Sequence, residues 1–314
     1  PLHTVDEWSA GNYPGVIDIW QGRVWMAATP LKKNTFWASR PFSYDFTAVD
    51  YSALNAGDGF SYDAAMKGEI RWLQGQKVMR CGGDEGEYSI SANDGVVYAG
   101  NIDIRQESAY GSAKHQALAI GDQVLFLSPD RRKVRALSFS LEGGGWFAKD
   151  ITFTAEHLTA PKVVDMAFAR DPFNTLALCL TVGTLACCNY DRAEQLAGWW
   201  PVTPSQAVVQ SVSVMNTENG DEVWCVGLLG SSEFLLRLPM YEAEEPLLDF
   251  QRTAVPASAQ GVPVYGTMTY NSGTGVLTCT QKRFNPDTAS TYYGLGAVSY
   301  THLRANETVL DLGC

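Results

Sequence analysis

The chain has 314 residues, 46% hydrophobic and 18% charged, which is enough apolar material for one large all-β domain or two average ones. Its 23 basic against 34 acidic residues leave a formal charge of −11, so it has no basic field with which to hold phosphates or an anionic membrane surface, and tight nucleic-acid binding is not expected. The longest apolar run, TLALCLTVGTLACC at 175 to 188, is shorter than the roughly 18 residues of a membrane helix and is interrupted by Gly183, so no membrane span is expected.

Residues 1 to 12 lack the charged and then apolar stretches of a secretory signal and read as the incoming segment of a longer chain. From residue 13 the sequence changes character. YPGVIDIWQGRVWMAATPLKKNTFWASRPFSYDFT, residues 13 to 47, sets three Trp among β-branched residues between Trp20 and Trp37. It opens a pattern of apolar strand, short polar turn and apolar strand that recurs four more times. The five copies are VIDIWQGRVWMAA around Val24, IRWLQGQKVMRCG around Val78, ALAIGDQVLFLS around Val124, DMAFARDPFNTLALCL around Leu176 and VSVMNTENGDEVWCVG around Val223. The centres are 54, 46, 52 and 47 residues apart. Several short strands per unit at a spacing near 50 predict β-propeller-like blades of antiparallel sheet over residues 13 to 245, five visible units that need not amount to a complete ring. Helical periodicity is almost absent.

The turns agree with this reading. Gln21-Gly22, Gly121-Asp122, Asp171-Pro172 and Asn219-Gly220-Asp221 stand where each hairpin must reverse, and they are residues that accept positive φ or preset a turn. Trp20, Trp25, Trp37, Trp72 and Trp224 lie on strand patterns and are expected to wedge splayed sheets together, with Trp20, Phe126, Phe168 and Trp224 pointing inward. Residues 246 to 297, rich in Gly, Thr and Pro, read as the start of a further β element. The last segment, VSYTHLRANETVLDLGC at 298 to 314, resembles translated sequencing-adapter sequence of the kind that ends open reading frames in metagenome assemblies. It is set aside as a non-native tail, together with His302, Cys314 and the sequon at Asn306.

Little in the chain points to catalysis, and no catalytic, cofactor-binding or metal-binding residue is assigned. The seven Cys form no C-x-x-C pair and have no His at ligand spacing, so they read as small buried hydrophobes in a reducing compartment. His3, His115 and His157 adjoin no nucleophile elbow, and His157 in AEHLT is expected to pack at a strand end. Gly143-Gly144-Gly145 precedes Trp146 rather than a helix with Lys, and is a turn rather than a phosphate loop. Asp84, Glu85 and Glu87 in GGDEGEYS could hold a hard cation, but without calcium-loop spacing they read as a solvated turn that protects a sheet edge. Arg131, Arg132, Lys133 and Arg135 concentrate positive charge in PDRRKVRAL and are the candidate subunit contact, since four charges alone make only a weak, salt-sensitive phosphate site.

Several segments, in one order, resemble the β-propeller part of tail nozzle proteins (tail tubular protein B) of short-tailed bacteriophages. They are YPGVIDIWQGRVWMAATP, GEIRWL with GGDEGEYSIS, IRQESAYGS, VLFLSPDRRKVRALSFS and KDITFTAEHL with VVDMAFARDPFNTLALCLTVGTLACCNYDR and GWW. The resemblance covers residues 11 to 245. Its most specific pieces are Tyr110-Gly111-Ser112, Asp150-Ile151-Thr152 with Glu156-His157-Leu158, and Asp191-Arg192 with Gly198-Trp199. The chain departs from the family pattern at Ala177-Leu178-Cys179 and Trp200-Pro201, neither of which would carry a reaction. The resemblance implies a non-enzymatic virion component, made in the bacterial host cytoplasm. It further implies a ring, expected at six copies, that contacts tail adaptor and tail fibre proteins and lets DNA pass without tight binding.

Two other readings come from different classes. SANDGVVY at 91 to 98 resembles the Asp-box turn of sialidase-type propellers, with Asn93 in the usual Asp place and Tyr98 for Trp, but it occurs once and no arginine motif stands near the start. Exposed Trp199 and Trp200 would suit a carbohydrate-binding adhesin.

Overall fold

The five hairpins visible in the sequence are the first two strands of five antiparallel sheets. The structure is a computed structural model. It describes residues 8–46, 56–92, 95–140, 145–194, 196–204, 207–218, 220–230 and 232–238, and the backbone of the strands at 251–252, 265–271 and 276–282. Two compact units divide at residue 154.

The first unit holds three sheets. β1 (Val16–Trp20), β2 (Arg23–Ala27), β3 (Thr35–Ala38) and β4 (Phe60–Asp63) form the first. β5 (Ile70–Gly75), β6 (Met79–Gly83), β7 (Gly86–Ala92) and β8 (Ile102–Ser108) form the second. The third consists of β9 (Leu118–Ile120), β10 (Gln123–Leu127), β11 (Val134–Ser140) and β12 (Gly145–Asp150). In the second unit, the short helix α1 (Glu156–Thr159) precedes β13 (Val163–Ala169), β14 (Thr175–Leu180), β15 (Leu185–Asp191) and β16 (Leu196–Val202). A further sheet contains β17 (Ala207–Thr217), β18 (Gly220–Leu229), β19 (Ser232–Leu238) and β20 (Gln251–Arg252), and β21 (Tyr265–Asn271) pairs with β22 (Val276–Lys282) in a separate hairpin. Each four-stranded sheet is an antiparallel meander in chain order, which makes this a β-propeller-like all-β fold.

Local chemistry sets the reversals. Gln21 and Gly22 both have positive φ, 50° and 68°, as a two-residue turn between right-twisted strands requires, and Trp20 then faces Arg23 in register. Gly121 at φ 58° does the same between β9 and β10.

Packing between sheets uses the large aromatics. Trp25 is fully buried against Trp20, Phe36 and Phe60, with ring centroids 5.4 to 5.8 Å apart, in a cluster that also takes Ile70, Leu73 and Ile90 from the second sheet. Trp72 is equally buried and meets Phe126, Val124 and Leu137 of the third sheet. Each such ring removes about 150–250 Å² from water, or roughly 4–6 kcal/mol of gross transfer free energy before the entropy of ordering. Trp20 and Phe126 are buried as expected, but Phe168 and Trp224 are only half-buried. Along β18 the buried positions are Asp221, Val223, Cys225 and Gly227, so Trp224 falls on the opposite face, where its Nε1 donates to Glu222 at 3.0 Å. On β13, Ala167 and Ala169 join the core cluster and Phe168 between them points away.

A carboxylate ties neighbouring sheets together in both units. Asp18 on β1 accepts the Gly75 N–H of β5, and Asp165 on β13 accepts the Val212 N–H of β17 at 2.9 Å. The two acids occupy the same place in their sheets, third in Val-Ile-Asp and Val-Val-Asp on the first strand. Close approach reinforces the first pair, because a Cβ on Gly75 would lie 2.8 Å from Trp20 Cβ.

Cys81, Cys179, Cys187, Cys188 and Cys225 are buried and free. Burial pushes the Cys179, Cys188 and Cys225 thiols up to about 12, and Cys81 and Cys187 also upward. His157 departs from expectation, since it is exposed on the single turn of α1. The segment 298 to 314 lies outside the described residues.

Candidate functional site

The cleft between β8 and β12, the outer strands of two neighbouring sheets in the first unit, brings charged and aromatic side chains together. It encloses about 680 Å³ and is lined chiefly by Glu107, Tyr110, Arg135, Trp146, Lys149 and Asp150. Three segments build it: the end of β8 with the loop that follows, the start of β11, and the strand β12.

The loop after β8 contains Tyr110-Gly111-Ser112, and each residue has a physical reason. Tyr110 presents its ring to Arg135, whose guanidinium carbon lies 3.8 Å from the ring centroid, a cation–π contact. Gly111 has φ +76°, and a Cβ there would come within 2.1 Å of the Asp84 carbonyl oxygen, so no other residue fits. The Ser112 hydroxyl donates to Glu87 at 2.8 Å.

Glu87 is fully buried. Ser108 and Ser112 hydroxyls and the Tyr110 backbone N–H donate to its carboxylate. Burial still pushes the Glu87 carboxyl above its ordinary value, although those three donors and the charge of Arg135 oppose the shift. Arg80, on the same face of the sheet, is 6% exposed and lies 3.6 Å from the Trp146 ring centroid. Its Nε and Nη1 have no hydrogen-bond partner. Burial lowers the Arg80 pKa, and the Glu107 carboxylate acts against that; Glu107 in turn accepts from the Ser89 hydroxyl at 2.5 Å.

The far wall is set by Asp150-Ile151-Thr152. Asp150 accepts the Thr152 N–H at 2.9 Å and hydroxyl at 2.7 Å, and pairs with Lys133 at 3.1 Å. Burial raises its carboxyl, but these partners outweigh it and hold Asp150 below the ordinary range. Ile151 is buried and donates its N–H to the Val134 carbonyl at 3.0 Å, which locks this wall to β11.

The structure divides the basic stretch. Arg131, with φ 60°, and Arg132 are exposed on the turn, Lys133 pairs with Asp150, and Arg135 enters the cleft and donates from Nη1 to the Ala148 carbonyl at 3.1 Å. The acidic cluster is divided as well. Asp84 binds the Glu69 N–H at 3.0 Å and Arg71, Glu85 pairs with Lys67 at the exposed turn, and Glu87 turns inward. The expected solvated turn is therefore correct for Glu85 and wrong for Glu87, because β7 is covered on both faces and alternation cannot send a side chain to water.

Sequence reading missed Arg80 and Glu87 as partners of this cleft. The available signal was a charge within each of two short strands, Arg80 in MRCGG and Glu87 in GEYSISA, where interior strands seldom carry one. Trp199 and Trp200, expected to be exposed, are half-buried on β16, and Trp200 packs against the core cluster of the second unit. Of the Asp-box-like turn, Asn93 and Asp94 lie outside the described residues, while Gln21 bonds the Gly95 carbonyl and the Val97 N–H at 2.7 and 3.1 Å. Among the described residues no three His, Cys, Asp or Glu side chains converge as a metal site would need, and no helix is long and apolar enough to cross a membrane.

The fold and cleft define a β-propeller-like protein with a charged, aromatic groove between two of its sheets. No protein-family model matches the chain, and no curated protein sequence matches it. Among solved structures, a luciferin-regenerating enzyme is similar at 10% identity and a TM-score of 0.40, covering 92% of this chain and 94% of that one. A protein from Lactobacillus plantarum is similar at 10% identity and a TM-score of 0.48, over 91% of this chain and 85% of that one. An auxiliary nutrient binding protein from Bacteroides thetaiotaomicron gives 7% identity and a TM-score of 0.42, over 85% of this chain and 66% of that one. None of these similarities transfers a ligand or a reaction to this chain.

Proposed function

We propose that this chain is a non-enzymatic structural component of a short-tailed phage tail, part of the nozzle ring through which DNA is ejected. The observation that carries the reading is the ordered resemblance of its segments to tail nozzle propellers, segments that fall on successive four-stranded sheets. Two of the most specific pieces, Tyr110-Gly111-Ser112 and Asp150-Ile151-Thr152, each give one residue, Tyr110 and Asp150, to the lining of one cleft, and their residue types are explained by packing and hydrogen bonding. The net charge of −11 suits a wall past which DNA moves without adhering, because like charge opposes the phosphate backbone. Arg131 and Arg132, exposed on the turn between β10 and β11, are offered as the contact to a neighbouring subunit in a ring of six. Immunogold labelling of virions of the phage that encodes the chain tests the assignment. Antibodies to it should mark the distal tail, and label confined to the capsid, or absent from virions, would reject it.

A further inference from the structure

The cleft between β8 and β12 carries two cations, Arg135 and Lys149, beside two acids, Glu107 and Asp150, and the acids are already engaged. Asp150 is paired with Lys133, Glu87 accepts three donors, and Glu107 accepts the Ser89 hydroxyl. The cations are less spent. Arg135 uses Nη1 on the Ala148 carbonyl, Lys149 is exposed on β12 with no acidic partner among the described residues, and the buried Arg80 stacks on the Trp146 ring with Nε and Nη1 unpartnered. Arg80 does not itself line the cleft but backs the Trp146 ring that does. Aromatic surface is present at the same place. Tyr110 is 53% exposed and Phe147 42% exposed, and both line the cleft beside Trp146. A volume of about 680 Å³ is of the size that takes a small organic ligand.

From these observations we infer that the cleft binds a carboxylate-bearing saccharide, with Arg135 and Lys149 pairing the carboxylate and Tyr110 and Trp146 covering a pyranose face. Guanidinium matches a carboxylate with two parallel N–H donors, and aromatic rings with a polar tip suit a ligand that is apolar on its ring faces and wet at its edges. The inference stands apart from the tail assignment, since it rests only on groups within the cleft. A free inorganic anion could use the same cations but would gain nothing from the rings.

Ligand-observed NMR and calorimetry on the full chain decide the matter, using digalacturonate, its neutral counterpart digalactose, and inorganic phosphate. Digalacturonate should bind, digalactose at least about tenfold more weakly, and added salt should weaken the acidic sugar. Lys149→Ala alters an exposed side chain and should weaken digalacturonate by about tenfold or more while leaving the melting temperature at its wild-type value; Tyr110→Ala should weaken it as much, with a small fall in melting temperature from the lost contact with Arg135. Arg135→Lys should also weaken it, because an ammonium cannot replace the two-pronged contact. No binding of digalacturonate, equal binding of the neutral sugar, displacement of the acidic sugar by phosphate at equal concentration, or affinity unchanged in both alanine variants would each overturn the inference.

Discussion

Glu87 is a buried carboxylate whose proton matters to stability. Its folded pKa lies above the ordinary 4.5, burial being the leading cause, so the folded chain holds this proton at pH values where the unfolded chain has released it. More protons bound in the folded state mean that its contribution is fully present below pH 4.5 and is lost as pH rises through the folded value. Glu87→Gln removes the titration and retains a side-chain oxygen for the surrounding donors. Thermal unfolding from pH 4.5 to neutrality should therefore show the variant gaining on the wild type as pH rises. A constant difference would mean that Glu87 does not titrate differently in the two states. Glu87→Ala should instead lose about 1–3 kcal/mol, since Ser108, Ser112 and the Tyr110 N–H would be left around a void.

At the level of the element, one device recurs: an acid on the first strand of a sheet accepts an N–H from the first strand of the next. Asp18 does so toward Gly75, and Asp165 toward Val212. Asp165 also accepts the Met166 N–H at 2.9 Å, so its two oxygens span its own strand and its neighbour. Asp165→Ala should cost about 1–3 kcal/mol, because the Val212 N–H loses its acceptor. Asp165→Asn, which keeps an oxygen, should cost distinctly less. Equal melting temperatures for the two variants would refute the clamp. The segment 298 to 314 poses the opposite question. If it is translated adapter sequence, nothing selected Leu303, Val309, Leu310 or Leu312 to fill a core, and deleting it should leave the melting temperature nearly unchanged. A genuine closing strand would bury apolar side chains at roughly 1.5–3 kcal/mol each, and a drop of about ten degrees on deletion would restore it to the fold.

For the whole molecule, charge is the governing quantity. With a net −11 and Arg131 and Arg132 as isolated exposed cations on one turn, the chain should show negligible duplex binding in a gel shift at about 150 mM salt, and a sub-micromolar Kd would refute this. Five hairpins, their order and their turns were legible in the sequence, because a turn such as Gln21-Gly22 depends on the φ preferences of two adjacent residues and an antiparallel meander depends on short connections. The large aromatics at Trp20, Trp25 and Trp72 were legible for the same local reason, as strand residues with too much apolar surface to leave in water. Phe168 and Trp224 were not, since which face of a strand meets the thicker core is settled by the neighbouring sheet and not by the strand itself. The cleft was likewise beyond the sequence. Arg135 and Asp150 are cross-strand partners on β11 and β12, but Tyr110 comes from the loop after β8 and meets them only when the second and third sheets pack. Glu87 and Arg80 became buried for the same reason: a sheet covered on both faces has no solvent side, so tertiary packing alone decided that these charges would need serines, a backbone N–H and an indole ring in place of water.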